Sequence, residues 1–333
     1  MKLNFKTLKV HLKETFRTSH GAADEKSVVM VDIDGGLGEA SPVSYYGESV
    51  DTVNSFISKA MEVIGDDPFR LEEISGKLEK IAAYNGAAKA AIDIALHDLI
   101  GKKLNVSVYK LLGITPRDDI PTSYTISIGD PETMKRQTED NPGYQVYKVK
   151  VGVPADIDMV AAVRDATKAR IRVDANGGWT LKEAIQKIKY LERFDIEFVE
   201  QPLHWEDYEG FKILRGKIDL PIIVDEGVMK AEDITRYRDI VDGINIKLQK
   251  SGGIREAFKM IAVARAFRMK IMIGCMVETS IGISAAAQLA PLVDYVDLDG
   301  NILISDDPYD GIKAVNGYLK YPDRPGLGVI ERN

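Results

Sequence analysis

From about residue 119 the chain repeats one pattern eight times: a short apolar run, then a stretch of different period. The runs are YTISI, YKVKV, IRVDA, IEFVE, PIIVDE, INIKL, KIMIG and YVDLD, from Tyr124 to Asp299. Amphipathic segments lie near 155–168, 180–193, 205–215, 231–240, 254–267 and 280–290. Short apolar runs read as buried strands, and helices between them favour parallel pairing. An open doubly wound sheet is the alternative, but eight regular units predict a closed parallel barrel over 119–300.

Residues 1–118 have another texture. Strand-like alternation covers 3–12 and 27–34, followed by Asp34-Gly35-Gly36-Leu37-Gly38. That stretch lacks the third glycine and the helix start of a nucleotide loop, so it predicts a hairpin turn. Helical patterns cover 51–64, 69–81 and 87–101, the last Ala-rich with Ile92, Ala95, Leu96 and Leu99 on one face. Residues 301–333, rich in Gly and Pro, are expected to return toward the N-terminal domain.

Composition removes several classes. The net charge is -7 with both signs interspersed, and no basic block argues for nucleic acid. No apolar run is long enough to span a membrane. The opening MKLNFKTLKVHLKETF alternates as a strand does and has no signal-peptide core. Cys275 is the single cysteine, which rules out an internal disulfide and a zinc cluster. A cytoplasmic enzyme or binding protein is expected.

Parallel barrels carry their sites at the C-terminal ends of the strands. The second strand ends in Lys148-Val149-Lys150, the third in Asp174, the fourth in Glu200, the fifth in Asp225, the sixth in Lys247 and the eighth in Asp297-Leu298-Asp299. A lone KxK suits a solvated edge strand, and a lone carboxylate suits a helix N-cap. Three carboxylates on consecutive strands are different, because they cannot share a small volume without a cation. Oxygen donors without Cys or His select a hard ion, Mg2+ above others. A cation and neighbouring ammonium groups would lower a lysine's pKa toward that of a base. Lysines on opposite sides suit inversion of a stereocentre, with the cation offsetting charge on a substrate carboxylate.

The assembled motifs resemble the enolase superfamily, in its muconate-lactonising-enzyme subgroup, along nearly the whole chain. KVK, VDANGGW, VEQP, VDE, NIKLQKSGG and AAIDIALHDLIGKK carry the resemblance. It implies an α/β chain with a (β/α)7β TIM-like barrel, an α+β capping domain and one Mg2+ on Asp174, Glu200 and Asp225. Cycloisomerases and o-succinylbenzoate synthases share the lysines, so these do not decide the reaction. Asp297-Leu298-Asp299 resembles the dipeptide epimerases, where the pair holds the substrate's ammonium; a simple Asp299-Gly300 turn is the alternative. The implied activity is a dipeptide epimerase, an isomerase using Lys150 and Lys247 as two bases with Lys148 assisting at the substrate carboxylate. Thr125 and Cys275-Met276-Val277 resemble substrate-contacting positions. A cycloisomerase, an o-succinylbenzoate synthase or a metal-binding scaffold without turnover are the rivals. A homo-oligomer is in keeping with the superfamily, though no patch diagnoses one.

Specificity is expected from mobile capping loops near 15–26 and 42–48. Alanine–glutamate epimerases carry an arginine in the first loop, where Gly21 aligns here. Arg17, His20 and Lys26 are the nearby cations, with Asp24 and Glu25 as contrary charges. L-Ala-D/L-Glu and related Xaa-Glu dipeptides are the favoured substrates, with cell-wall peptide breakdown as their source. His11, His20, His97 and His204 form no catalytic spacing, and His97 is expected to be structural.

Overall fold

The computed structural model describes residues 1–19 and 21–332. The chain opens on an antiparallel sheet, β1 (Leu3–Thr18), β2 (Gly21–Ile33) and β3 (Gly36–Ala40), paired in that order. Asp34 and Gly35 both have positive φ, as an Asp-Gly hairpin turn requires. Three helices follow: α1 (Val50–Ala60), α2 (Leu71–Ile81) and α3 (Gly86–Leu104). Gly36 and Gly38 let α3 lie directly on β3, since a Cβ at either would collide with the carbonyl oxygens of Ala95 and Ala91.

Two expectations change here. The stretch 15–26 is a paired hairpin arm for most of its length, with Phe16 opposite Ala23 and Thr18 opposite Gly21. A register shift between His11 and Phe16 lets the arm continue past the expected strand end. Helix α3 is buried all round over Ala87–Gly101, not on one face. A helix in that setting must satisfy its polar groups internally. His97 Nδ1 donates to the Asp93 carbonyl at 2.7 Å, a structural contact. Asp93 Oδ2 accepts from Ile254 N, and Asp98 accepts from Leu37 N and Leu327 N. These bonds tie the N-terminal region to the barrel and to the C-terminal segment.

The second sheet has eight strands: β4 (Tyr124–Ile126), β5 (Val146–Lys150), β6 (Arg170–Asp174), β7 (Ile196–Glu200), β8 (Ile222–Val224), β9 (Gly243–Lys247), β10 (Lys270–Gly274) and β11 (Tyr295–Asp297). They run in sequence order with every neighbouring pair parallel. Ser123 N donates to Val296 O at 3.3 Å across the seam between the first and last strands. A helix follows each of the first seven, giving the (β/α)7β order. The helix Pro131–Asp140 had too few apolar residues to show a period, since only Met134 and Thr138 are buried. Asp130 caps it and Pro131 opens it, which was its legible signal. The segment 231–240 contracts to the single turn Ile234–Tyr237.

Strand β5 is buried along its whole length, so YKVKVG is not a wet edge. Tyr147, Val149 and Val151 join the main apolar core, and each such buried side chain contributes about 1.5–3 kcal/mol. Alternation then forces Lys148 and Lys150 to the barrel interior. Among the described residues no helix is long and apolar enough to cross a membrane.

Candidate active site

Strand register levels the reactive positions. Lys150 pairs with Asp174, and Asp174 with Glu200. Gly274 pairs with both Lys247 and Asp297. Asp225 follows β8 directly. The second and sixth of eight strands stand half a ring apart, so Lys150 and Lys247 enter from opposite sides.

A cavity of about 340 Å³ lies above these strand ends. Thr125, Lys148, Lys150, Lys247, Cys275, Met276, Val277, Asp297 and Asp299 all line it. Asp174, Glu200 and Asp225 are fully buried beneath its floor. Lys148 Nζ is 3.0 Å from Asp174 Oδ2, 2.8 Å from Glu200 Oε2 and 2.8 Å from Asp297 Oδ2. Lys150 Nζ is 2.6 Å from Asp174 Oδ2, and Lys247 Nζ is 2.7 Å from Asp225 Oδ2.

With ammonium groups among the carboxylates, no three His, Cys, Asp or Glu side chains converge on one ion position among the described residues. The donor set nevertheless fits a hard divalent ion. Glu200 Oε2 and Asp225 Oδ2 are buried, meet ammonium groups at 2.8 and 2.7 Å, and make no well-aligned hydrogen bond. Such oxygens suit a cation, and three anionic oxygens suit Mg2+.

The charges are strongly coupled. Burial alone would lower the Lys148 pKa, but Asp297, Glu200 and Asp174 hold it well above the usual lysine value. Lys247 is raised in the same way, mainly by Asp225. The protein's own groups thus hold both lysines up, and the expected lowering would have to come from the cation. Burial opposes ionisation of Asp174, yet Lys150 and Lys148 bring it down to about 2. Glu200 is pushed up to about 6 by burial and by Asp174.

Asp297 and Asp299 separate. Asp297 gives one oxygen to Ser123 Oγ and the other to Lys148. Asp299 Oδ2 accepts from Thr125 N at 2.7 Å, and its side chain does not cap the helix that follows. Asp299 is thus more than a turn residue. The Thr125 side chain also hydrogen-bonds this carboxylate, and Cys275 Sγ is 3.9 Å from its Oδ1. Burial and Asp297 push Asp299 up to about 6, while burial and Asp299 keep the Cys275 thiol protonated.

The capping region closes the cavity from above with Phe16, Ala22, Ala23, Lys26, Tyr45 and Tyr46. Arg17 is exposed and off the cavity wall, and His20 lies outside the described residues. Lys26 lines the cavity but donates to Pro42 O at 2.5 Å. Several contributors had no assigned role in the sequence reading. Lys250, Asn245 and Asn176 hold carboxylate oxygens, and Glu226 lines the cavity beside Asp225. The second lysine of Lys247-Leu248-Gln249-Lys250 was the visible signal for Lys250.

Residues 3–113 match the mandelate racemase / muconate lactonizing enzyme N-terminal domain, and residues 133–330 match the enolase C-terminal domain-like family. The chain belongs to the enolase superfamily. Within it the place is the muconate-lactonising-enzyme subgroup. An L-Ala-D/L-Glu epimerase of Bacteroides thetaiotaomicron is 38% identical, covering 99% of this chain and 88% of the relative. A dipeptide epimerase of Enterococcus faecalis, solved with Mg and L-Leu-L-Tyr, superposes with a TM-score of 0.93 at 35% identity, covering 98% of both chains. The substrate-liganded L-Ala-D/L-Glu epimerase of Bacillus subtilis gives 0.92 at 32% identity, covering 99% of this chain and 98% of that one. These homologues of the enolase-superfamily chain are named epimerases, which are isomerases.

Proposed function

We propose that this protein is a Mg2+-dependent dipeptide epimerase that inverts the α-carbon of the C-terminal residue. The observation that supports this most is the arrangement of Lys150 and Lys247, half a ring apart on one cavity, with Asp299 on the same wall. Asp174, Glu200 and Asp225 would hold Mg2+. When bound, that ion supplies positive charge beside the substrate carboxylate and offsets the carboxylates that raise Lys247. Asp299, supported by the charge of Asp297, takes the dipeptide's ammonium. Lys148 keeps a positive charge near the reacting carboxylate. Lys150 in its neutral form accepts the α-proton from one epimer, while Lys247 as ammonium returns a proton to the opposite face. The reverse reaction exchanges those roles. Thr125 holds Asp299 in place, and Cys275, Met276 and Val277 form the wall beside it.

Glutamate as the C-terminal residue rests on Lys26, the capping-region cation at the cavity. An apolar C-terminal residue is the second reading, favoured by Phe16, Ala22, Ala23, Tyr45 and Tyr46. A cytoplasmic enzyme acting on cell-wall peptides belongs to the same proposal. In heavy water each epimer should gain deuterium at the inverted carbon. Full epimerisation by both Lys150→Ala and Lys247→Ala would sink the two-base scheme. A dipeptide panel varying the second residue decides between Glu and apolar side chains, and turnover of Leu or Tyr above Glu rejects the first.

A further inference from the structure

One oxygen of each of the three floor carboxylates is held by a group other than Lys148, Lys150 and Lys247. Asp174 Oδ1 accepts from Asn176 N at 3.0 Å. Glu200 Oε1 accepts from Asn245 Nδ2 at 2.8 Å. Asp225 Oδ1 accepts from Lys250 Nζ at 2.6 Å. The second oxygen of each faces the ammonium groups of Lys148, Lys150 or Lys247 instead. Two of these second oxygens, on Glu200 and Asp225, have a lysine ammonium as their nearest charged partner, at 2.8 and 2.7 Å.

Lys250 cannot act on substrate. It is 3% exposed and absent from the cavity wall. Its ammonium also donates to Asp225 O at 2.5 Å and to Asn245 O at 3.1 Å, so its three donors are committed. That geometry locks the end of β8 to β9 and fixes the residue whose amide holds Glu200. Gly274 protects the arrangement, because a Cβ there would come within 2.7 Å of the Asn245 side chain.

We infer that Lys250 and Asn245 are positioning residues that make Asp225 and Glu200 one-oxygen ligands for the divalent ion. The frame commits one oxygen of each carboxylate to Lys250 or Asn245 and turns the other toward the cavity lysines, where an ion could share it. Preorganisation of this kind strengthens ion binding by fixing donors in advance. The inference rests on the Mg2+ reading above.

The test is calorimetric titration of the folded, ion-stripped protein with Mg2+ alone, paired with melting curves. Lys250→Met and Asn245→Leu keep side-chain bulk and remove the donors. Each should weaken Mg2+ binding at least tenfold, in the range found when outer-shell partners of metal ligands are lost. Lys250→Arg should recover part of that loss, and with saturating Mg2+ the dipeptide KM should stay near the wild-type value. Should Lys250→Met fail to fold, Asn245→Leu carries the test. Affinity within twofold of wild type, or tighter because a positive charge has gone, overturns the inference. A wild-type protein that binds no divalent ion overturns the Mg2+ reading itself and the inference with it.

Discussion

The floor carboxylates and the Asp297–Asp299 pair lie in one barrel but manage their charge in different ways. At the floor, Asp174 and Asp225 have lysine partners within 2.7 Å, and their carboxyl groups stay ionised despite full burial. At the end of the eighth strand and just past it, Asp297 is neutralised by Lys148, whereas the nearest partners of Asp299 are uncharged: the Thr125 backbone N–H and side chain and the Cys275 thiol. Burying a carboxylate without a cation is costly. The floor is therefore built around cations of the protein's own, and Asp299 is left to find one. A substrate ammonium is the partner that the proposed reaction would bring. Lys148 joins the two regions, since one ammonium touches Asp174, Glu200 and Asp297.

That contrast can be broken experimentally. Loss of a proton-transfer group should cost most: Lys150→Ala or Lys247→Ala lowers turnover by about a thousandfold, measured as epimerisation by proton NMR. Next is Asp299→Asn, which should lower kcat/KM by about a hundredfold, chiefly through KM, because a charged hydrogen bond is lost. N-acetylated dipeptides should suffer a comparable loss with wild type and little further loss with Asp299→Asn. Asp297→Asn should instead lower kcat more than it raises KM, because it releases Lys148.

A smaller effect follows pH. Asp299 must be ionised to hold an ammonium, so KM should rise as pH falls through about 6, and Asp299→Asn should remove that limb. The stability sign is opposite. A raised carboxyl pKa means the folded state holds the proton more tightly. Its stabilising contribution is complete below the ordinary carboxyl value and is lost as pH rises through about 6. Asp299→Asn should therefore melt higher than wild type at pH 8; a lower melting temperature there contradicts the charge assignment. The smallest effect concerns the capping region. Lys26→Met should reduce turnover of L-Ala-L-Glu by about tenfold, as loss of one partly exposed charge contact. An unchanged rate would leave Lys26 as a tie to Pro42 alone.

Much of the barrel was legible because its strands are short, apolar and evenly spaced, and because their last residues carry the charges. Lys148, Lys150, Asp174, Glu200, Asp225 and Lys247 were visible for that reason. The hairpin arm was not, since residues 15–26 are polar enough to resemble a loop, and Phe16–Thr18 pair with Gly21–Ala23 only through a register shift. The polar helix Pro131–Asp140 was missed for want of a period. The full burial of α3 was hidden because alanine gives little contrast between faces.

The sequence by itself determined the order of elements, the levels of the reactive side chains and their charge types, because strand period and chain order suffice for these. Only the tertiary structure decided which oxygen faces which nitrogen. It placed Lys148 between two regions, engaged Asp297 while sparing Asp299, and set Lys250 behind Asp225. Those choices depend on distances of a few ångströms between strands far apart in the chain, where burial makes each contact strong and linear spacing carries no information about it.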